Sequence, residues 1–240
     1  MIILAFDLET TGLDPVADRP IEVGAIVYST GKKRCLESAG FLVKTDVPIP
    51  EKITGITGID QAAVNHFGFS SPDALEHLLE LADLADAFIG QNILRFDKRF
   101  LENWCKRENR TMPNKLWIDT YTDLPGVEAK HLGYMAADAG FLNPFPHQAL
   151  SDCQTVIKLF AMHDVNAVIA RAQSPTIVLL AHQAKTDNEL AKARRFRWNS
   201  EYKIWWKTVK ELDKATEMTG APFNITVAPP EILIEKLWHD

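Results

Sequence analysis

Short apolar runs and amphipathic segments alternate along the first two thirds of the chain. Residues 2–8 form an apolar run with the length of a buried strand, and residues 21–28 and 40–44 are further β-rich segments. A Gly-Lys-Lys sequence at 31–33 lies where a hairpin turn is expected. The pattern predicts a meander of three strands at the start of the chain.

Strand and helix signals then alternate. Residues 48–58 contain two prolines and two glycines and are predicted to be irregular, whereas 71–85 begin with Ser-Pro-Asp and carry apolar residues at helical spacing. Strands that alternate with helices build layered sheets, so we predict a three-layer α/β domain with a mixed central sheet. Its further elements are strands at 87–90 and 116–119 and helices at 96–108, 131–139 and 149–172.

The pattern restarts near Ser174-Pro175, because the residue before a proline disfavours the helical conformation. We therefore predict two domains, residues 1–174 and a small α+β domain of residues 175–240. The elements predicted for the second domain are strands at 176–181 and 223–227, a hairpin at 196–209, and helices at 187–195 and 210–219.

The composition is typical of a globular protein. Of the 240 residues, 46% are hydrophobic and 24% are charged, and the mean hydropathy is -0.11, which excludes disordered, collagen-like and membrane proteins. No apolar run reaches the roughly 18 residues of a spanning helix, and the first residues lack the basic segment of a signal peptide. We expect a cytoplasmic protein with no membrane partner. Its three cysteines have no Cys-x-x-Cys spacing, so neither a disulfide framework nor structural zinc is expected.

The net charge of -6 first argues against a nucleic-acid partner, because phosphate binding depends on lysine and arginine. The distribution of the charge weakens that argument. Residues 1–174 carry 16 basic and 23 acidic residues, whereas 175–240 carry 10 and 9, and the stretch 185–214 carries nine and five. A nucleic-acid partner therefore stays open.

Two acidic side chains lie at the end of the first apolar run. Asp7 and Glu9 are separated by one residue, so on an extended strand their carboxylates point to the same face. Such carboxylates repel each other unless a cation or a proton lies between them, and Mg²⁺ is a hard cation that takes oxygen ligands. The pair indicates a divalent-metal site. A pair of surface acids at a strand end is the structural alternative.

Two later segments place polar residues at helix starts. Asn92 and Asp97 follow the strand at 87–90, where asparagine favours a turn and an acid interacts well with the helix dipole. His147 precedes the last long helix of the first domain, and Asp152 lies about one turn into it. Taken singly, each residue also has an ordinary structural explanation as a turn, cap or helix-start residue.

Together, the three segments resemble the three Exo motifs of the DEDDh 3′→5′ exonucleases, the DnaQ-like family. The motifs are Asp-x-Glu-Thr-Thr-Gly from Asp7, Asn-x-x-x-Phe-Asp from Asn92 and His-x-x-x-x-Asp from His147, in that order. The resemblance covers about residues 1–170 and lacks none of the required residues. It implies a ribonuclease H-like fold, and within the family the chain looks most like bacterial or phage exonucleases of the exonuclease X type.

The resemblance also implies a mechanism with two Mg²⁺ or Mn²⁺ ions. Asp7, Glu9 and Asp152 would hold the ion that binds the attacking water, and Asp7 with Asp97 would hold the second ion near the leaving 3′-oxygen. His147 would remove the proton from the water, a task suited to histidine because its charge changes near neutral pH. Nucleoside 5′-monophosphates would be released from a 3′ end.

The same resemblance implies a pocket for the terminal nucleotide. Thr10 and Thr11 would hold the nucleotide through backbone N–H groups, and Leu13 would act as an apolar wedge. Asn92 and Phe96 would line the same pocket.

Other acids, histidines and cysteines are assigned structural roles. Glu22 is expected on a strand beside the site, Asp119 at a strand end that caps the next helix, and Cys153 in helix packing. The remaining histidines share no ligand spacing and are expected at the surface or in caps: His66, His77, His131, His163, His182 and His239.

Basic and aromatic residues interleave at 192–207, and this segment has two explanations. Bases stack on aromatic side chains and phosphates attract cations, which favours an accessory nucleic-acid-binding module. Alternatively, the tryptophans fill the core of a small domain.

The resemblance makes a metal-dependent 3′→5′ exonuclease that acts on single-stranded or frayed DNA ends the first hypothesis. An exoribonuclease of the oligoribonuclease or ribonuclease T type and a polymerase proofreading subunit are alternatives, and the first of these makes RNA a further candidate partner. Proofreading predicts a polymerase-binding tail, whereas residues 175–240 have the pattern of a folded domain. A non-catalytic nucleic-acid-binding protein is the alternative of another class, although it should lack a ligand residue that is present here.

Overall fold

The computed structural model describes residues 1–127, 131–184, 186 and 188–229. The chain forms two compact units, Met1–Ala172 and Gln173–Asp240, and the second is described as far as residue 229. His239 lies outside the described residues. No helix in the described part of the chain has the length and apolar character needed to cross a membrane.

The first unit is built on a five-stranded mixed sheet. The strands follow the order β3-β2-β1-β4-β5, in which β1, β2 and β3 are antiparallel neighbours, while β4 runs parallel to β1 and β5 parallel to β4. The strands are β1 (Ile2–Thr10), β2 (Pro20–Ser29), β3 (Arg34–Leu42), β4 (Ala87–Gly90) and β5 (Leu116–Asp119).

Helices of the first unit cover the two faces of this sheet, which confirms the predicted three-layer α/β architecture. The strand β3 starts six residues before the predicted segment at 40–44. The helices are α1 (Glu51–Thr57), α2 (Gln61–Phe67), α3 (Ser71–Asp83), α4 (Asp97–Arg107), α5 (Thr120–Asp123), α6 (Leu132–Asp138), α7 (Ala149–Ala161) and α8 (Val165–Gln173).

Alternate residues of β1 pack into two separate hydrophobic clusters. Leu4 and Phe6 point to the cluster that includes Trp104 of α4, whereas Ile3 and Ala5 point to the cluster that includes Phe160 of α7. A strand with both faces buried has a nearly continuous run of apolar residues, which is why residues 2–8 show no alternation of apolar and polar residues. The central position of β1 places the acids at its end between these two layers.

Two sequence predictions about helices are wrong. The predicted irregular stretch at 48–58 contains α1, which starts after Pro50 and ends at Gly58 in the left-handed region, φ 74°. The predicted single helix at 149–172 is interrupted between α7 and α8, where the Asp164 carboxylate accepts the Asn166 N–H. Aspartate competes for backbone N–H groups in this way and starts a new helix.

The second unit is a small α+β fold with a four-stranded antiparallel sheet, as predicted. Its strand order is β7-β8-β6-β9. A 3₁₀ turn at Glu211–Asp213 directly precedes the helix that begins at Lys214. Its elements are β6 (Thr176–His182), α9 (Asn188–Ala193), β7 (Arg197–Asn199), β8 (Ile204–Lys210), α10 (Lys214–Met218) and β9 (Asn224–Val227).

The three tryptophans in the described part of the second unit pack in its core. Trp205 and Trp206 are both about 3% exposed and, as neighbours on β8, belong to clusters on opposite faces of the sheet. Trp198 lies opposite Trp205 with ring centroids 5.4 Å apart, so it shares a face with Trp205 rather than with Trp206. Core filling therefore accounts for these tryptophans, and a nucleic-acid-binding role of this unit stays a prediction.

The backbones of β2 and α7 approach closely at Gly24, which leads to a prediction about stability. A Cβ atom on Gly24 would lie 2.2 Å from the Ala149 carbonyl carbon and 2.3 Å from the Leu150 nitrogen. Because backbone atoms cannot rotate away, Gly24→Ala should lower the free energy of unfolding by about 3 kcal/mol, measured by urea denaturation. Gly31→Ala is the matched control, since open space surrounds Gly31 and a change within about 0.5 kcal/mol is expected. Equal stabilities of the two variants would contradict the close packing.

Candidate active site

Three carboxylates meet at the end of the central strand. Oxygen atoms of Asp7, Glu9 and Asp152 all lie within 4.8 Å of one another, and we call these residues the acid cluster. Asp7 and Glu9 share a face of β1 as predicted, and an irregularity in strand pairing follows directly after Glu9. Asp152 comes from the first turn of α7, so packing of this helix on the sheet completes the cluster.

Asp152 is held in place by the segment that precedes its helix. The side-chain amide of Asn143 donates a hydrogen bond to one carboxylate oxygen, and the backbone N–H of His147 donates to the other at 3.2 Å. Such donors stabilise the ionised carboxylate and fix its direction.

Asp97 lies beside the acid cluster without belonging to it. It is the first residue of α4 and about 2% exposed, and its carboxylate accepts the Leu8 N–H at 3.0 Å. Leu8 lies between the two acids of β1, and the charge of Asp97 contributes to raising the pKa of Asp7. Asp97 therefore lies close to the acid cluster, as the resemblance implies. Its hydrogen bond to Leu8 connects it to β1, the strand that carries Asp7 and Glu9.

Burial and mutual repulsion make the ionised forms of these acids unfavourable. Burial is the largest cause of a raised pKa at Asp7, Glu9 and Asp97, and neighbouring carboxylates raise each pKa further. The pKa of Glu9 is raised to about 7. A set of close oxygen donors with excess negative charge fits a hard divalent cation, because the cation would offset both effects.

Glu22 and Asp119 have the structural roles predicted for them. Glu22 lies opposite Glu9 on β2, and its carboxylate accepts the N–H of Ala149, the first residue of α7, at 3.0 Å. This bond ties the start of α7 to the sheet. The Asp119 carboxylate caps α5 by accepting the Tyr121 N–H at 2.9 Å.

A cavity of about 440 Å³ opens beside the acid cluster. Its volume falls in the range of small-molecule sites, and its lining combines Asp7 and Asp152 with cationic and aromatic side chains. His147 lines it in a left-handed backbone conformation, φ 61°. The other lining residues with ring or charged side chains are Arg95, Tyr121 and His131.

A comparison with known families decides what kind of site this is. The family model described as Exonuclease (RNase_T) matches residues 4–160, which is well over half of the chain. The chain belongs to the DEDD-type 3′→5′ exonuclease family. The resemblance read from the three motifs is thereby confirmed, and so is the prediction of an exonuclease-type hydrolase at the level of the family.

DNA polymerase III proteins are among the relatives of this exonuclease domain. The DNA polymerase III PolC-type protein of Thermotoga maritima is 31% identical over 163 residues, which are 65% of this chain and 11% of that protein. The DNA polymerase III subunit epsilon of Treponema pallidum is 29% identical over 210 residues, which are 77% of this chain and 89% of that protein. The chain thus spans about a tenth of the length of the PolC-type relatives that it matches.

Solved exonuclease structures share the fold. E. coli Exonuclease I in complex with a dA16 oligonucleotide is similar with a TM-score of 0.62 at 17% identity, over 95% of this chain and 62% of that chain. The structure titled "The structure of exonuclease I suggests how processivity is achieved" has a TM-score of 0.61 at 18% identity, over 75% and 48%. The ribonuclease H-like fold of the first unit is confirmed.

The nucleotide-binding residues predicted for the exonuclease pocket are only partly brought together. Asn92 lines the cavity with φ 55°, and Leu13 is 83% exposed in the loop after β1. Phe96 does not line this cavity, because its ring packs against Phe100 with centroids 4.8 Å apart. The nucleotide-binding role of Phe96 stays a prediction.

Thr10, the last residue of β1, and Thr11, which follows it, are both buried. The N–H of Thr11 donates to the Arg19 carbonyl at 2.9 Å and its hydroxyl contacts Asp18 at 3.0 Å. A nucleotide would bind this N–H only in place of the Arg19 carbonyl, and the role of Thr11 stays a prediction. Thr10 is about 5% exposed, and its hydroxyl donates to the Gly12 carbonyl.

Sequence reasoning missed the cationic and aromatic side of the cavity. His131 is exposed and is the N-cap residue of α6, as expected of a surface or cap histidine, and it also lines the cavity, where its ring lies 5.3 Å from the ring of Tyr134. Arg95 and Tyr121 contact each other, with the guanidinium carbon 5.9 Å from the ring centroid. No spacing rule connects these residues, because they come from three separate segments that only the fold brings together.

Because the carboxylates of the acid cluster are buried and repel one another, we predict that the stability of the protein depends on pH. The pKa of Glu9 in the folded chain, about 7, lies above its unfolded value near 4.5. Its contribution to stability is therefore present below about pH 4.5 and is lost as the pH rises through about 7. In chelator at pH 8, Glu9→Gln should raise the free energy of unfolding by on the order of 1–2 kcal/mol, with allowance for solvent screening. Near pH 4.5 the two proteins should differ little.

The measurement is urea denaturation at both pH values, and Asp83→Asn is the control. Asp83 is an exposed acid at the end of α3, so its substitution should change stability by less than about 0.5 kcal/mol at either pH. If the Glu9→Gln variant is no more stable than the wild type at pH 8, the ionised Glu9 carboxylate does not destabilise the folded chain and the prediction is contradicted.

Proposed function

We propose that this chain is a metal-dependent exonuclease that removes nucleotides from the 3′ ends of single-stranded or frayed DNA. The observation that carries the proposal is the acid cluster, three carboxylates within 4.8 Å at the end of β1 in a domain of the exonuclease family. DNA is favoured as the substrate because the relatives are DNA polymerase III proteins and the similar structure of Exonuclease I contains dA16.

Two Mg²⁺ or Mn²⁺ ions fit the donor set. Asp7, Glu9 and Asp152 would hold one ion, and Asp7 with Asp97 would hold the other. When bound, such a pair stabilises the charge that develops on the attacking and leaving oxygens of a phosphodiester. The carboxylates of the chain supply only oxygen ligands, which suits these hard ions.

His147 is the proposed general base. It lines the cavity beside Asp7 and Asp152, and its backbone N–H is bound to Asp152, so the position of its side chain is coupled to that of the cluster. Its ring would accept the proton of the attacking water as the oxygen forms its bond to phosphorus. The phosphodiester would break at the 3′-oxygen, with release of a nucleoside 5′-monophosphate.

A proofreading role is the second candidate. It is favoured by the similarity to the DNA polymerase III subunit epsilon of Treponema pallidum, which covers 89% of that protein and 77% of this chain. The same chemistry would then act on the 3′ end of a newly made strand. Co-purification with a replicative polymerase subunit would support this role, and activity that is independent of any polymerase in the cell would argue against it.

Metal dependence and substrate type are tested on 5′-labelled single-stranded DNA and RNA of one sequence. With Mg²⁺ or Mn²⁺, the DNA should shorten stepwise from its 3′ end, and chelator should abolish the reaction. Asp7→Asn should lower the rate at least about 10³-fold, because it removes a ligand shared by both ions. Asp83→Asn is the matched control and should retain full activity.

Each outcome of this assay decides between hypotheses. Shortening of RNA alone would establish the exoribonuclease alternative. No shortening of either substrate would contradict the enzymatic proposal and leave a non-catalytic nucleic-acid-binding protein.

The identity of the base is tested with the two histidines of the cavity. His147→Asn should lower kcat about 10²–10⁴-fold with little change in KM, and added imidazole should restore part of the rate. His131→Asn should lower kcat much less, because His131 is proposed only as a lining residue. A larger kcat loss in His131→Asn than in His147→Asn would reverse the assignment.

A further inference from the structure

A second cavity in the first unit is surrounded by basic side chains from three separate elements. Its volume is about 230 Å³. Arg19 precedes β2, Lys44 follows β3, and Arg107 is the last residue of α4. We call it the basic cavity. Two acids, Asp46 and Glu108, also line it.

Both acids of the basic cavity are paired with groups that also line it. Asp46 accepts from the Arg19 Nε at 3.1 Å, and its side chain is 77% exposed. Glu108 accepts the hydroxyl hydrogen of Ser71. Asp46 therefore neutralises Arg19 when the cavity is empty, and a phosphate would bind Arg19 by displacing the exposed Asp46 side chain. Lys44 and Arg107 have no such ion pair among the described residues.

Arg107 has an unsatisfied donor at this cavity. Its Nη1 donates to the Pro15 carbonyl at 3.4 Å, whereas Nη2 is buried and has no hydrogen-bond partner among the described residues. A buried donor without a partner is unfavourable, and burial together with the charge of Arg19 lowers the pKa of Arg107. An anion in the cavity would offset the repulsion between the two arginines, and a rotation of the Arg107 side chain would bring the buried donor to it.

The basic cavity lies at the same end of the sheet as the acid cluster. Arg19 is hydrogen-bonded to Thr11, two residues beyond Glu9. The helix α4 starts with Asp97 and ends with Arg107, a distance of about 15 Å along its axis at 1.5 Å per residue. At roughly 3.4 Å per nucleotide of a stacked strand, this corresponds to about four nucleotides or fewer.

We propose that the basic cavity binds a phosphodiester of the substrate strand, within about four nucleotides on the 5′ side of the reacting 3′ end. The inference rests on the proposed exonuclease function. Arginine binds phosphate through paired N–H donors, and phosphate contacts supply most of the affinity of proteins for single strands.

Binding is measured by fluorescence anisotropy of a labelled 12-nucleotide single strand in chelator, over a salt series. Lys44→Gln and Arg107→Gln should each raise Kd roughly three- to tenfold and reduce the slope of log K against log salt by about 0.7. Lys44 is exposed, so its variant should keep the wild-type stability. Lys32→Gln is the control, because Lys32 lies in the turn between β2 and β3, at the far end of these strands.

Kinetics with Mg²⁺ provide a second readout that separates the two proposals. Both variants should have a higher KM than the wild type for the 12-nucleotide strand. Their KM and kcat for a dinucleotide should be unchanged, because a dinucleotide is too short to reach from the acid cluster to the basic cavity. Arg107→Lys should recover part of the loss. A wild-type protein that cleaves neither substrate would refute the exonuclease function, while the binding series would still test the cavity.

Two results would overturn the inference. One is a Kd and a salt slope for both variants that match those of Lys32→Gln. The other is an equal loss on the dinucleotide and the 12-nucleotide strand, because these residues would then act through the loop after β1 and not on the strand.

Discussion

Mutual repulsion of carboxylates at the end of β1 is the constraint on which the rest of the structure depends. Asp7, Glu9 and Asp152 lie within 4.8 Å of one another, and burial makes their ionised forms still less favourable. The surrounding fold must offset the unfavourable free energy of this repulsion and burial. Hydrophobic clusters on both faces of β1 supply the stabilisation. Backbone N–H donors fix the orientation of the carboxylates of Asp97 and Asp152.

The strand β2 connects the two parts of the acid cluster. Gly24 lets the backbone of α7 approach the sheet, and Glu22 binds the N–H of Ala149 at the start of that helix. Both contacts determine where the first turn of α7, and with it Asp152, lies relative to β1. Gly24 and Glu22 thus help to set the geometry of the acid cluster.

Charge is organised locally in this acidic chain. The total of -6 includes the three carboxylates of the acid cluster and that of Asp97, whose four negative charges two divalent ions would balance. At the same end of the sheet, Arg19 and Arg107 form a basic cavity with an unsatisfied donor. Net charge alone therefore says little about binding to a polyanion, because the field that a strand meets is set by the groups at the site.

Local physics determined part of this protein from the sequence alone. The two-residue period of a strand put Asp7 and Glu9 on one face, and short apolar runs located β4 and β5. Long-range contacts decided the rest. The Thr11 N–H is bound to Arg19, Phe96 packs into the core, and His131 reaches the cavity from a distant segment. Periodicity and capping describe neighbours along the chain, whereas these three outcomes depend on which distant residues the packed sheet brings into contact.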